Sequence, residues 1–347
     1  MRAYGRRKAL ALAFGVLAVA TACSGGAPPA TTKSAMALSP TPSPTGEQPA
    51  VTLTEAAGEF TKITVTDDAF RVRSRDPALR EALKGRLRMA KDQLTGGQAS
   101  LTEAAYLSTD YAPHRYRWGA PTLFVPRFAP DEKAPWFSAL ATRDGRPTLL
   151  TFAKSDRWRL SSAAELLPGQ ELPEIELDDD GYATPVASDD KTITISPQFM
   201  GPVHASVAET GSAGVTAGLL AAGPYTTEVA EQIASLREKA KLDGFSYDSI
   251  FSADNFPVYA LRTSNGGALI QYSLSRNTTT NTKTAEKDFI PVPDSARWAI
   301  KDDDKVVRRS LKLTETHQYA TAVPPLTAPA AASVIAHDGA LTRASGN

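Results

Sequence analysis

Apolar residues along the chain fall into two kinds of pattern, and each predicts a different element. From Pro77 to Leu94 the apolar positions Leu79, Leu83, Leu87, Ala90 and Leu94 recur at three- and four-residue steps, with Arg80, Lys84, Arg88 and Lys91 between them. That spacing gives a helix one apolar stripe, opened by Asp76-Pro77 and ended by Gly96-Gly97. Pro202 to about Thr210 and Thr226 to Leu242 also read as helices, the second with Val229, Ile233, Leu236 and Ala240 along one face. Elsewhere alternation replaces the helical step. Ala139-Leu140-Ala141-Thr142-Arg143-Asp144-Gly145 leads into Leu149-Leu150-Thr151-Phe152, and Ala260-Leu261-Arg262-Thr263-Ser264-Asn265-Gly266 leads into Leu269-Ile270-Gln271-Tyr272. Both are hairpin signatures, because Asp-Gly and Asn-Gly tolerate the positive φ of a tight turn. Thr192 to Ile195 alternates as a short strand would, and Lys305 to Ala322 reads as a long one, with Val307, Leu311 and Leu313 near one face.

The two hairpin segments match each other, and Ser155-Asp156-Arg157-Trp158-Arg159-Leu160 is echoed by Ser295-Ala296-Arg297-Trp298-Ala299-Ile300. The stretch from Leu167 to about Asp190 lies between the copies and is rich in Pro, Gly and Asp. These observations predict an α+β chain of two related modules, residues 51–188 and 189–347. Each module has a helix or helices followed by a curved antiparallel sheet.

The N-terminus follows a different logic. Arg2, Arg6, Arg7 and Lys8 precede an apolar stretch from Ala9 to Ala20, then Thr21-Ala22 and Cys23. That is the layout of a signal peptide over 1–22, and its apolar stretch falls short of the roughly 20 residues a membrane-spanning helix needs. Cys23 is the chain's one cysteine, so the folded part has no disulfide and must be held by buried cores. Ala20-Thr21-Ala22-Cys23 resembles the bacterial lipoprotein box, with Ala20 where that pattern usually carries Leu. The resemblance implies a diacylglyceryl group on the Cys23 thiol, and two acyl chains suffice for stable anchoring at the extracytoplasmic face of the cell membrane. From Cys23 to residue 50 the chain is dominated by Ser, Thr, Pro, Ala and Gly, which predicts a disordered, solvated tether. Loss of the four basic residues from a chain with 38 basic and 38 acidic side chains leaves a net charge of about −4. Nucleic acid is therefore not expected as a partner.

The order of helices, then antiparallel strands with a Trp after a hairpin, resembles the cystatin-like folds that include nuclear-transport-factor-2-like proteins. Most of residues 52–343 also resemble uncharacterised lipoproteins of high-GC actinobacteria, assigned to a domain of unknown function. Neither resemblance implies a catalytic residue.

A direct search for chemistry is equally spare. His114, His204, His317 and His337 lack metal-ligand spacing, and no His-Glu-x-x-His or Cys-x-x-Cys occurs. Asp178-Asp179-Asp180 and Asp302-Asp303-Asp304 read as solvated turns, Gly211-Ser212-Ala213-Gly214 as a helix interruption, and Ser264-Asn265-Gly266-Gly267 as a turn. No catalytic residue, metal or cofactor is expected. The most unusual local composition is His114-Arg115-Tyr116-Arg117-Trp118. Arg115, Tyr116, Arg117 and Trp118 are candidate partner-binding residues, since guanidinium groups and aromatic rings together suit stacking and bidentate recognition. The competing reading places Tyr116 and Trp118 against the sheet and both arginines in water. The expected role is a non-enzymatic lipoprotein that binds or assembles with a protein or cell-envelope partner. The alternative is a small-ligand or enzymatic pocket inside one module.

Overall fold

In the computed structural model, which describes residues 49–347 apart from 73–75, 254–255, 284–288 and 301–305, each half of the chain lays down helices before strands. The first half runs α1 (Leu53–Phe70), α2 (Arg80–Asp92), α3 (Gly96–Ser108), β1 (Thr122–Phe124), β2 (Trp136–Arg143), β3 (Arg146–Lys154) and β4 (Trp158–Leu166). The second runs α4 (Pro197–Thr210), α5 (Thr227–Leu242), β5 (Phe245–Ser252), β6 (Tyr259–Arg262), β7 (Ala268–Thr282), β8 (Ser310–Val323) and β9 (Ser333–Gly346). The expected α+β class is present. The expected signal peptide, Cys23, almost all of the expected tether and Asp302–Asp304 lie outside the described residues.

Local chemistry accounts for most of these elements. Thr52 caps α1 by accepting the Glu55 backbone N–H at 3.0 Å, and Ala56, Phe60 and Ile63 then form its buried stripe. In α2 the predicted stripe is buried at Leu83, Leu87 and Ala90, whereas Leu79, in a 3-10 turn before the helix, is exposed. Gly96-Gly97, however, opens α3 instead of merely ending α2. A Cβ on Gly97 would sit 2.7 Å from Ser273 Oγ, so the glycine permits a close approach of helix to sheet. Both predicted hairpins form, as β2–β3 and β6–β7. Asp144 and Gly145 take φ of 53° and 84°, as a two-residue hairpin turn requires.

Two sequence expectations are corrected. Thr192–Ile195 is not a strand: Ile193 makes one isolated bridge to Pro325, a residue with no N–H to extend a ladder. The Trp-containing echo also fails structurally, because Trp158 lies on β4 whereas Trp298 lies in a 3-10 turn at Asp294–Ala299. The Leu167–Asp190 connection is tied to the sheet by bridges from Ile175 to Thr263 and from Pro185 to Leu261.

The nine strands of the described residues belong to one sheet, ordered β1-β2-β3-β4-β9-β8-β7-β5, with β6 beside β5 along the same edge of β7. The halves join where Glu165 pairs with His337 and Leu166 with Ala336. The boundary expected near Ser188 falls between β4 and α4, and the sheet is continuous across the two halves. It is also folded back on itself. Four strand spacings separate β3 from β7, about 19 Å in a flat sheet, yet Thr151 Oγ1 on β3 donates to Gln271 Oε1 on β7 at 2.5 Å. Gln271 Nε2 donates in turn to Ser138 Oγ on β2 at 2.7 Å. The facing inner surfaces also bury Leu149, Ala164, Leu261, Leu269 and Ala336 in one apolar cluster. The outer surfaces carry separate cores, one under α1 and one under α4 and α5.

Candidate functional site

The Arg-aromatic segment follows β-like alternation although it is not a named strand. His114, Arg115 and Arg117 are exposed, whereas Tyr116 and Trp118 are half-buried. Its anchor is the first hairpin turn. Asp144 Oδ1 accepts the Arg117 N–H at 2.9 Å, Asp144 Oδ2 lies 2.9 Å from His114 Nε2, and the Asp144 N–H donates to the Arg117 carbonyl at 2.8 Å. The Arg117 N–H and His114 hold the Asp144 carboxyl below its ordinary pKa. The residue that sequence reading assigned to turn geometry therefore also clasps the candidate site.

Tyr116 is wedged between cations. The Arg71 guanidinium sits 4.4 Å from its ring centroid and that of Arg143 5.1 Å away. Arg71 is itself buried, donating from Nε to Asp67 Oδ2 at 2.7 Å and from an Nη to the His114 carbonyl at 3.1 Å. Burial is the largest influence and would lower its pKa, but the Asp67 charge and hydrogen bond together with Tyr116 and Tyr106 outweigh it, and the net shift is upward. Arg115 makes a two-pronged contact with Asp68, and Arg117 has no side-chain partner among the described residues. Together Asp68, His114 to Arg117, Asp144 and Gly145 line a surface concavity of about 830 Å³. Trp118 is not part of it. Its ring packs on the core under α1, with Nε1 buried and unpaired.

The structure also assembles a group that sequence reading scattered. His204 on α4, His317 on β8 and His337 on β9 gather on the outer face of the second half with Tyr225, Tyr272 and Tyr319. His317 Nδ1 lies 3.0 Å from His337 Nε2, so one nitrogen carries the proton and the other accepts it. His204 Nε2 lies 2.6 Å from the Tyr225 carbonyl, which can only accept, so that nitrogen donates. Nδ1 must then accept, and the Tyr272 hydroxyl, 2.7 Å away, donates to it while receiving the Thr321 hydroxyl at 2.9 Å. The result is a directed chain from Thr321 to Tyr272 to His204 to the 225 backbone. Burial, with a contribution from His317, lowers His204 to about 4, and burial with the two neighbouring imidazoles lowers His337 to about 3. Gly339 makes room for the pair, since a Cβ there would lie 2.5 Å from His317 Nδ1. No grouping of three or more metal-type ligands with suitable geometry occurs among the described residues. Asp178 and Asp180 instead pair with Arg127, at 2.5 and 2.7 Å.

Comparison with known proteins places this architecture. Residues 47–346 match the family described as Domain of unknown function (DUF8094). The chain is 29% identical over 245 residues to an uncharacterized lipoprotein of Streptomyces coelicolor, covering 68% of this chain and 66% of that one. It is 28% identical over 175 residues to an uncharacterized lipoprotein of Streptomyces avermitilis, covering 47% and 48%. The chain thus spans less than two thirds of the length of either relative. No solved structure matches. Among the described residues no helix is long and apolar enough to cross a membrane.

Proposed function

The chain belongs to the DUF8094 family, and from that premise we propose that it is a membrane-anchored extracytoplasmic lipoprotein that docks a protein or cell-envelope partner in the concavity around Tyr116. The single observation that carries this reading is Arg117, an exposed guanidinium without a side-chain partner on a segment whose backbone is clasped by Asp144 and whose central ring is held between Arg71 and Arg143. A site ordered before binding avoids the cost of ordering side chains and loops during it. An arginine with no internal carboxylate to release is available to a partner's carboxylate or phosphate. The resemblance of the sequence at Cys23 to a lipoprotein box and the lipoprotein relatives support the anchor.

The test is photo-crosslinking in cells from a reactive residue at position 117, compared with one at the exposed position 239 on α5. A discrete adduct from 117 alone, lost when Asp144→Ala releases the clasp, is expected. Adducts that are the same from both positions, or that survive Asp144→Ala unchanged, contradict the reading.

A further inference from the structure

A second concavity lies away from Tyr116, where α2, α3, the 294–299 turn and β9 meet. Its volume is about 510 Å³, within the range of small-ligand sites. Tyr111 and Trp298, both half-buried, line it together with Glu103, Asp110, Lys84 and Arg343. From these residues we propose that the cleft is a saccharide-binding site, taking a neutral or weakly charged sugar chain.

Three observations converge on that chemistry. The first is the pairing of aromatic faces with both hydrogen-bond polarities. A pyranose has an apolar C–H face that lies on a ring and a rim of hydroxyls that both donate and accept. Two carboxylates and two cations supply each complement. The second is charge. Two acids and two bases give the lining no net sign, which fits neither a polyphosphate nor a strongly basic peptide. Arg343 is exposed and has no charged partner among the described residues, while Lys84 and Glu103 engage only Glu81 and Lys91, in exposed pairs that water or a ligand exchanges at little cost. The third is that the aromatic wall is held rigidly by the end of α3. Asp110 and Tyr111 are consecutive non-glycine residues at φ of 52° and 64°. The Tyr111 N–H returns to the Tyr106 carbonyl at 2.7 Å, which locks the turn and sets the Tyr111 ring against the cluster of Leu87, Ala90 and Tyr106. This is a Schellman-type end to α3, with the Asp110 N–H also returning to the Leu107 carbonyl at 3.4 Å, and it fixes the position of the Tyr111 ring at the cleft wall.

The experiment is calorimetric titration of the purified full-length chain in detergent with cellotriose and, separately, with triacetylchitotriose, each taken to about 10 mM, the upper range of weak binding. Binding of at least one trisaccharide is expected, weakened about tenfold or more by Trp298→Ala, the fold change that corresponds to loss of one stacking platform. Arg343→Ala, at an exposed position that contributes little to folding, should weaken the same binding more modestly, and it serves as the deciding variant if Trp298→Ala does not fold. Absence of heat with both sugars, or binding that the folded variants leave unchanged, overturns the proposal.

Discussion

The outer faces of the two halves solve one packing problem with different side chains. In the first half, α1 sets Phe60 onto Phe137, Phe152 and Trp158, with Phe137 and Phe152 stacked at 4.7 Å and Phe60 meeting Phe152 edge-on at 5.9 Å. In the second half, α4 covers Tyr272 and Tyr319, stacked at 5.6 Å, and adds His204, whose ring lies 4.4 Å from that of Tyr319. The first stack needs only area and shape, and its one polar contact is at the rim, where Trp158 Nε1 donates to Glu55 at 2.9 Å. The second depends on a chain of hydrogen bonds whose directions are fixed by where protons sit. Between about pH 7 and 5, above the range where the Glu55 carboxyl titrates, the first stack should therefore be indifferent to pH and the second sensitive to it, although both belong to a single sheet.

The largest effect that sharpens this contrast is expected from Phe152→Ala, which empties a fully buried ring site and should cost about 3–5 kcal/mol in denaturant unfolding. The loss should be the same at neutral and mildly acidic pH, and a loss that varies with pH would break the contrast. Acidification itself comes next. An unfolded imidazole titrates near 6.5, while His204 titrates at about 4 and His337 at about 3. Between those values the unfolded chain holds more protons, so stability rises with pH there and is lost as pH falls below about 6.5. His204 alone contributes a loss of about 3 kcal/mol on reaching its folded pKa. His317, Glu315 and Arg276 face the same region, with Arg276 3.4 Å from Glu315, so the Glu315 charge is already engaged. Replacing His204 with Gln should flatten the unfolding midpoint measured against pH, and an unchanged slope would remove His204 from the account.

Smaller effects test finer points. Gly339→Ala pushes a methyl into the His317–His337 contact and should cost about 1–3 kcal/mol by thermal or denaturant unfolding. Tyr272→Phe removes the donor to His204 Nδ1 and the acceptor for Thr321, for about 1–2 kcal/mol. At the small end, Arg115→Ala breaks only a surface pair with Asp68 and should leave the unfolding midpoint where it was.

The parts of this fold that were legible in the sequence are those encoded locally. Asp144-Gly145 announced a two-residue hairpin turn and Gly266, at φ 81°, the positive-φ position of a longer one, and the α2 stripe was readable from Leu83 to Ala90 at its three- and four-residue steps. The outward arginines and inward rings of residues 115–118 followed from alternation. What stayed hidden depends on partners distant in the chain. His317 and His337 meet because β8 and β9 pair with Tyr319 opposite His337 and His317 opposite Gly339, a register no spacing rule reveals. His204 joins them through the Tyr319 ring only when α4 packs on the sheet over β5 and β7. The alternation of His317 with Tyr319, and of both with Thr321, was the available signal that these residues share a face. The fold-back that brings Gln271 to Thr151 had even less trace, since a polar residue within an apolar strand reads as an interruption until its buried partners are known. Gly96-Gly97 misled for a related reason, because a glycine required by close approach looks locally like one required by a helix end.

The proposed docking role requires a lipid anchor on Cys23, and mass spectrometry of the N-terminal peptide from membrane-bound native protein tests that most directly. A peptide beginning at Cys23 and carrying a diacylglyceryl mass on its sulfur is the expected result. A soluble chain with an unmodified Cys23, still preceded by residues 1–22, would contradict the account.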